Sequence, residues 1–349
     1  MTLTAPRLSN VPPGAGVRQT RNNSLLVYIL LAVGLVLLCA GGEFLVRGAV
    51  GAARRLGVSP LLIGITLVGF GTSMPELVAS VKAALADAPG IAIGNVVGSN
   101  IANVLLIIGT TALIAPIYVM RGPFPRDATV MMAAALLVGA VVLTDFMARW
   151  AGLLFLAALS VYLIYCYVSE RRNTKEGAQH VAEAEEIEAV EGPLWKALLV
   201  TAIGLAGVIA GARLLVDSAI ELATLLGISE TVIGVSVVAV GTSLPELAAS
   251  ITAALRRHAD VAFGNIVGSN IFNLLFILGV TATIKPIPVP DEIIRLDYWV
   301  MLGAMALLVV VSATGWKIVR REAMLFLLLY AGYMTLVFSP AAQSLIGLQ

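Results

Sequence analysis

Apolar runs of 18 residues or more recur along this chain and constrain its fold more than any other feature. A helix needs about 20 apolar residues to cross roughly 30 Å of hydrocarbon, and lipid-exposed backbone tolerates little besides helices and closed barrels. Of the 349 residues, 59% are hydrophobic and only 12% are charged, which excludes a soluble globule with an ordinary polar surface. The sequence therefore predicts an all-α, polytopic membrane protein.

Ten segments are long and apolar enough to be transmembrane helices, with a break expected inside the second and the seventh. The remaining chain forms a disordered extracytoplasmic tail (1–24), an acidic loop (170–193) and a short C-terminal tail (339–349). The ten predicted spans are 25–48, 58–86, 90–116, 127–146, 150–169, 194–222, 228–255, 259–285, 296–313 and 319–338.

The chain repeats itself at an offset of 170 residues. Residues 57–119 match 227–289 at about 34 of 63 positions, and the match includes "GTSMPELVAS" (71–80) against "GTSLPELAAS" (241–250). This similarity predicts two homologous five-helix halves, 25–169 and 194–338. Because five spans are an odd number, the second half must enter the membrane in the opposite sense to the first.

The positions of the arginines agree with an inverted second half. The turn at 52–57 carries Arg54 and Arg55 while its copy at 222–227 carries no base, and the next turn reverses this, with Arg256 and Arg257 only in the second copy. Basic residues favour the cytoplasmic side. We therefore expect both termini outside a cell membrane and the 170–193 loop in the cytoplasm, in an architecture typical of secondary transporters with a midplane site.

The repeated motif places an acid beside a proline inside an apolar span. Pro75 and Pro245 each remove a helical donor and crowd the carbonyl four residues back, so a broken helix is expected at both motifs. Glu76 and Glu246 follow directly, although an acid at a span centre costs roughly 2.5 to 3.5 kcal/mol on insertion scales. Two such costs at equivalent places indicate that a cation compensates them.

Hydroxyl and amide side chains accompany the two acids at helical spacing. Thr72 precedes Glu76 by four residues, and Asn95, Ser99 and Asn103 form a stripe of the same spacing. The second half repeats this arrangement with Thr242, Glu246, Asn265, Ser269 and Asn273. Oxygen donors without histidine or cysteine suit Ca²⁺ or Na⁺ rather than zinc or copper.

At "GFGTSMPELVAS…GNVVGSNIANVLLIIG" and "AVGTSLPELAAS…GNIVGSNIFNLLFILG" the chain resembles the cation/Ca²⁺ exchanger superfamily, most closely its prokaryotic Na⁺/Ca²⁺ exchanger branch. The resemblance spans nearly the whole chain and implies a central ion cluster between the second, third, seventh and eighth helices. It also implies that the first and sixth helices form a pair that slides across the core. The implied ligands are Glu76 and Glu246, the hydroxyls of Thr72, Thr242, Ser73, Ser243, Ser99 and Ser269, the amides of Asn103 and Asn273, and the carbonyls of Gly69 and Ala239.

We therefore expect a secondary antiporter that exchanges Na⁺ for Ca²⁺ by alternating access, with these ions and the lipid bilayer as its partners, no prosthetic group and no nucleic acid. Two alternatives remain open: a Ca²⁺/H⁺ antiporter that uses the same glutamates, and, more remotely, a cation channel. An enzyme is not expected, because no HExxH, nucleotide loop or triad pattern occurs. Some members of the superfamily carry Asp at the position of Asn273. Asn273 lacks that negative charge, which argues against a K⁺-dependent mode of exchange.

Overall fold

The computed structural model of the protein describes residues 15–57, 73–119, 121, 124–172, 188–255, 259–339 and 344. These residues are almost entirely helical. The helices are α1 (Ala15–Arg55), α2 (Met74–Leu85), α3 (Pro89–Ile114), α4 (Phe124–Val142), α5 (Arg149–Arg172), α6 (Leu194–Leu226), α7 (Glu230–Thr242), α8 (Leu244–Leu255), α9 (259–284), α10 (Ile293–Gly315) and α11 (Arg320–Phe338).

The helices confirm an all-α, polytopic membrane protein. Within the described ranges, eight helices are long and apolar enough to span a membrane, and the bent pair α7–α8 makes a ninth span. The remaining predicted span, the second (58–86), begins in residues that lie outside the described ones, and α2 covers its later part.

Several helix ends differ from the sequence predictions, and two helices extend into segments that we expected to lie outside the spans. α1 begins at Ala15, inside the tail that we expected to be disordered, and α5 continues to Arg172, inside the expected loop. A polar stretch can extend an existing helix because each added residue gains a backbone hydrogen bond without a new nucleation step. Residues 1–14 of the tail and 173–187 of the loop lie outside the described residues, whereas 188–193 are described and lead into α6.

α1 and α6 pack against each other over most of their length through small residues. A Cβ added to Gly34 would lie 3.0 Å from the Gly211 carbonyl, one on Gly41 would lie 2.6 Å from the Val208 amide nitrogen, and one on Gly48 would meet the Thr201 backbone. The contacts move backward along α6 as they move forward along α1. The two equivalent helices are therefore antiparallel, as an inverted repeat requires.

Two short antiparallel strand pairs join the halves crosswise. Strand β1 (Ile117–Tyr118) pairs with β4 (Lys317–Ile318), and β2 (Phe146–Met147) pairs with β3 (Ile287–Pro288). β1 and β3 occupy equivalent places in the repeat, and so, with a one-residue shift, do β2 and β4. Each half thus contributes one strand to each pair. Because β1 and β2 flank α4, and β3 and β4 flank its copy α10, the two pairs tie the ends of these equivalent helices together.

Burial separates a central layer of helices from a lipid-facing layer. The apolar window of α3 is 94% buried and that of α9 is 78% buried, whereas α1, α5 and α11 bury 28%, 28% and 22% of theirs. α3 and α9 carry the "GNVVGSN" and "GNIVGSN" motifs. The fold therefore places the polar motifs of both halves in its interior.

Candidate ion-binding site

The second proline motif breaks a helix, as predicted. α7 ends at Thr242 and α8 starts at Leu244, with a bend of 44° between them. Ser73 takes the equivalent position before α2, whose first turn contains Pro75. Thr72 and Gly69, two of the predicted ligands, lie outside the described residues.

The two predicted glutamates are both buried at the start of the helices that follow the breaks. Glu76 lies in the first turn of α2 and Glu246 in the first turn of α8, and each is 1% exposed. Ser243, from the opposite half, donates its hydroxyl to Glu76 Oε1 at 3.1 Å. This hydrogen bond joins the two halves at the Glu76 carboxylate.

α3 and α9 change to π-helical geometry at their asparagines. The π segments are Ala102–Ile108, which includes Asn103, and Asn273–Ile277. α2 packs against the second segment and α8 against the first, so each glutamate-bearing helix meets the asparagine-bearing turn of the other half. π-bulges interrupt the regular hydrogen-bond ladder and are frequent at functional sites.

Oxygens without a hydrogen-bond partner mark the interior of the described chain. They include one carboxylate oxygen each of Glu76 and Glu246 and the side-chain carbonyls of Asn103 and Asn273. Buried polar groups normally find partners, because an unmade hydrogen bond costs about 1–3 kcal/mol. The other unpartnered oxygens on these helices, or directly before α2, are Ser73 Oγ, Asn100 Oδ1, Thr111 Oγ1, Ser250 Oγ and Ser269 Oγ.

This donor set fits a hard cation. Among the described residues, no three or more His, Cys, Asp or Glu side chains approach closely enough to hold a metal ion by themselves. A bound cation must therefore take most of its ligands from neutral amide, hydroxyl and backbone oxygens around two carboxylates. Ca²⁺ accepts six to eight such oxygens in flexible geometry, and softer metals prefer nitrogen and sulfur.

Three predicted ligands are already engaged with one another. Ser99 Oγ donates to the Ala239 carbonyl at 3.4 Å, and Thr242 Oγ1 lies 3.0 Å from Asn95 Oδ1 and 3.3 Å from the same carbonyl. The Ala239 carbonyl also accepts the Ser243 amide at 3.1 Å. These bonds link α3 to α7, and a cation that used the Ala239 carbonyl would have to replace some of them.

Sequence reasoning missed two pairs of equivalent polar residues. Asn100 and Asn270 are both fully buried, and Asn270 Oδ1 accepts a hydrogen bond from Asn103 Nδ2 at 3.1 Å. Ser80 and Ser250, one turn beyond the glutamates, are buried as well. Their recurrence at the 170-residue offset, in "GSN" and at the end of "PELVAS" and "PELAAS", was a signal that could have identified them.

The two halves differ in conformation at equivalent residues. Asn95 is fully buried and donates to Ser80 Oγ at 2.9 Å and to the Glu76 carbonyl at 3.1 Å. Its copy Asn265 is only partly buried, and the copy of Ser80, Ser250, has no partner within the described chain. Nearly identical sequences therefore adopt a tighter arrangement around Glu76 than around Glu246.

Removing the Ser243 hydroxyl tests whether its hydrogen bond to Glu76 contributes to ion binding. We expect Ser243→Ala to weaken ion binding about tenfold or more, because a hydrogen bond to a charged group contributes about 1.5–3 kcal/mol. Ca²⁺ affinity of the purified protein, measured by calorimetry, checks this. Ser160→Ala is the matched control, since that exposed hydroxyl on α5 donates to the Leu156 carbonyl of its own helix. An equal loss in both variants would contradict a role of Ser243 at the site.

The family model for the sodium/calcium exchanger protein matches the chain in two stretches, 26–168 and 196–339. The putative antiporter CaxA of Alkalimonas amylolytica is 37% identical over 90% of this chain and 99% of its own length. The sodium/calcium exchanger MaX1 of Methanosarcina acetivorans is 33% identical, over 89% of this chain and 98% of its own.

Among solved structures, the sodium-calcium exchanger NCX_Mj, soaked with Na⁺ and Sr²⁺, superposes with a TM-score of 0.61 at 33% identity, and the match covers 89% of this chain and 98% of that one. The same exchanger without Na⁺ or Ca²⁺ gives a TM-score of 0.56. Sequence and architecture agree over both halves. The chain therefore belongs to the sodium/calcium exchanger family, a family of membrane transporters.

Proposed function

We propose that this protein exchanges Na⁺ for Ca²⁺ across a cell membrane. The observation that carries the proposal is the pair of buried glutamates, one from each half, with an unpartnered oxygen on each carboxylate. Two relatives of nearly full length are named for antiport or sodium/calcium exchange, which supports the same activity.

Charge balance explains how such a site produces exchange. Two ionised carboxylates carry about two negative charges, which one Ca²⁺ neutralises and which several Na⁺ can neutralise in its place. Because buried charge is stable only when it is compensated, the site favours being filled by one ion type or the other. Mutually exclusive occupancy of one site couples the two ion movements in opposite directions.

The proposed ligands are those predicted from the sequence, together with two of the buried residues that the structure adds. Glu76 and Glu246 bind both ions, and the neutral oxygens complete the coordination. Unpartnered oxygens support Ser73, Ser269, Asn103 and Asn273, whereas Ser99, Thr242 and Ala239 must exchange existing bonds for a cation. Of the additions, Asn100 and Ser250 also have an unpartnered oxygen.

Different conformations of the two halves support alternating access. The Leu35 side chain of α1 lies against Gly241 beside the broken α7, whereas Leu205, its copy on α6, is 43% exposed. We propose that the α1–α6 pair moves across the core so that the two halves exchange conformations, which opens the site to one side at a time.

The orientation of the protein in the membrane follows from the charge of its loops. We propose that both termini lie outside the cell and that the 170–193 loop is cytoplasmic, because Arg54, Arg55, Arg171 and Arg172 then lie on the cytoplasmic side. Labelling of single cysteines introduced at exposed loop positions, in intact cells, tests this orientation. Extracellular labelling at Glu188→Cys would reverse it.

Flux under imposed gradients separates the rival activities. In proteoliposomes with an inside-high Na⁺ gradient, we expect uptake of radioactive Ca²⁺ that stops when the gradient collapses. Uptake that follows a pH gradient and ignores Na⁺ would identify a Ca²⁺/H⁺ antiporter. Single-channel currents from the purified protein would identify a channel. Channels usually build their selectivity filter as a ring of several subunits, whereas the two glutamates here belong to one chain, which argues against a channel.

A further inference from the structure

Asn270 holds a proposed ligand of the other half in place. Its Oδ1 accepts a hydrogen bond from Asn103 Nδ2 at 3.1 Å, and its Nδ2 donates to Met131 Sδ on α4 at 3.9 Å. All three residues are at most 1% exposed. Because the bond engages the amide nitrogen of Asn103, it fixes that side chain with its carbonyl oxygen unpartnered and available to an ion.

The chain contains a second copy of these three residues. At the 170-residue offset, the copies of Asn270, Asn103 and Met131 are Asn100, Asn273 and Met301. The copies are at most 2% exposed and lie on α3, α9 and α10, the counterparts of α9, α3 and α4. The same donors and acceptors are therefore present for an equivalent pair of bonds on the other side of the repeat.

The second copy does not form these bonds in the structure. Asn100 Nδ2 donates instead to the Val96 carbonyl of its own helix at 2.7 Å. Asn100 Oδ1 has no partner, so it does not accept a bond from Asn273, whose Oδ1 is also unpartnered. Equivalent asparagines thus adopt two arrangements: Asn100 bonds to its own helix, and Asn270 bonds to the other half.

We propose that Asn270 and Asn100 are positioning residues that exchange these two arrangements when the transporter changes the face to which it opens. In the conformation of the structure, Asn270 orients Asn103. In the opposite conformation, Asn100 orients Asn273, and Asn270 turns to the carbonyl of Ile266, the copy of Val96. The inference rests on the proposed function, because it assigns the two arrangements to the two states of alternating access.

The exchange conserves the number of hydrogen bonds. Each state has one amide bonded across the halves and one bonded within its helix, so no buried amide pays the cost of losing its partner. The exchange therefore adds little to the free-energy difference between the two states, as a protein that populates both requires. The asparagine that bonds to its own helix keeps a free carbonyl oxygen, which agrees with an ion contact of Asn100 in this conformation.

Uptake measured separately at each face tests the exchange of partners. Right-side-out and inside-out membrane vesicles loaded with Na⁺ give the half-saturating Ca²⁺ concentration at either side. We expect Asn270→Ala to raise it about fivefold or more at one face and to leave it unchanged or lower at the other, since Asn103 loses a buried partner in one state only. Asn100→Ala, the matched control, should act at the opposite face. Equal increases at both faces in each variant would overturn the proposal.

A double-mutant cycle identifies the partner of Asn270. At the affected face, Asn270→Ala should add less than about twofold to the loss caused by Asn103→Ala, because both remove the same bond. It should add its full effect to Asn273→Ala. Full additivity with both partners would contradict the assigned pairing.

Thermal unfolding of the purified variants in chelator supplies a measurement that needs no transport. The losses in Asn103→Ala and Asn270→Ala should be less than additive in the double variant. Absence of Na⁺-driven Ca²⁺ uptake in the parent protein would refute the proposed function. Strictly additive unfolding losses in this cycle and in the Asn100/Asn273 cycle would separately refute the pairing.

Met131→Leu is the second variant in case Asn270→Ala does not fold. It keeps the buried volume and removes only the sulfur that accepts the bond from Asn270. We expect a smaller increase of the half-saturating Ca²⁺ concentration, at the face that Asn270→Ala affects. Met301→Leu is its control and should act at the opposite face, and equal increases at both faces would again overturn the proposal.

Discussion

Replacing Glu246 with glutamine abolishes Na⁺-dependent Ca²⁺ uptake, with an expected loss of at least about a hundredfold. Glutamine keeps the shape of the side chain and removes its negative charge from a site where the carboxylate is 1% exposed. A charge pair about 4 Å apart is worth roughly 4 kcal/mol at the effective dielectric constant of a protein, which exceeds a hundredfold in affinity. Ca²⁺ uptake into proteoliposomes under a Na⁺ gradient measures this effect.

The same substitution should change stability in the opposite direction when ions are absent. Glu246 is buried and one of its carboxylate oxygens has no hydrogen-bond partner, so neutralising it removes the cost of burying an uncompensated charge in the ion-free protein. We expect Glu246→Gln to unfold at a higher temperature than the parent protein in chelator, and to lose the further stabilisation that Ca²⁺ gives the parent. A merely misfolded variant would be less stable under both conditions.

Glu43→Gln is the control for this experiment. Glu43 also lies on a membrane helix, yet its side chain is 67% exposed and pairs with Arg47 at 3.6 Å within α1. Exposed pairs of this kind contribute about 0.2–1 kcal/mol, so uptake should stay within about twofold of the parent. If Glu246→Gln and Glu76→Gln transport Ca²⁺ as well as Glu43→Gln does, the proposed site is wrong.

The sequence predicted much of this fold because its signals are local or periodic. The apolar runs predicted the helices, and Pro245 predicted the break before α8, since proline cannot continue the hydrogen-bond ladder. The 170-residue repeat predicted two related halves. The antiparallel contact of α1 with α6 follows from that repeat and from their glycines.

Features that depend on tertiary contacts were beyond sequence reasoning. The spacing that grouped Asn95 with Asn103 says nothing about which partner each finds, and the structure pairs Asn95 with Ser80 but Asn103 with Asn270. Nothing local in the sequence indicates that Asp217 on α6 lies 3.4 Å from Lys82 on α2. The difference between the two halves was also hidden, because nearly identical sequences predict identical conformations.

Gly41→Ala should destabilise the protein by about 1–3 kcal/mol, the usual cost of overpacking a tight contact. A Cβ at this position would lie 2.6 Å from the Val208 amide nitrogen and 2.9 Å from the Gly204 carbonyl, and backbone atoms cannot move aside as a side chain can. α1 and α6 must therefore separate. Thermal unfolding in detergent measures the loss, and Gly303→Ala is the control: no atom lies within 4 Å of its added Cβ, so alanine there is neutral or up to about 1 kcal/mol stabilising.

The repeat predicts that the equivalent substitution in the second half has an equivalent cost. Gly211 is the copy of Gly41, and its added Cβ would lie 2.5 Å from the amide nitrogen of Leu38, which is the copy of Val208. Gly211→Ala should therefore cost about as much as Gly41→Ala. Since either substitution already separates the same helix pair, the double variant should lose less than the sum of the two. Strictly additive losses would show that the two contacts act independently, and that the helix pair does not respond as one interface across the axis that relates the halves.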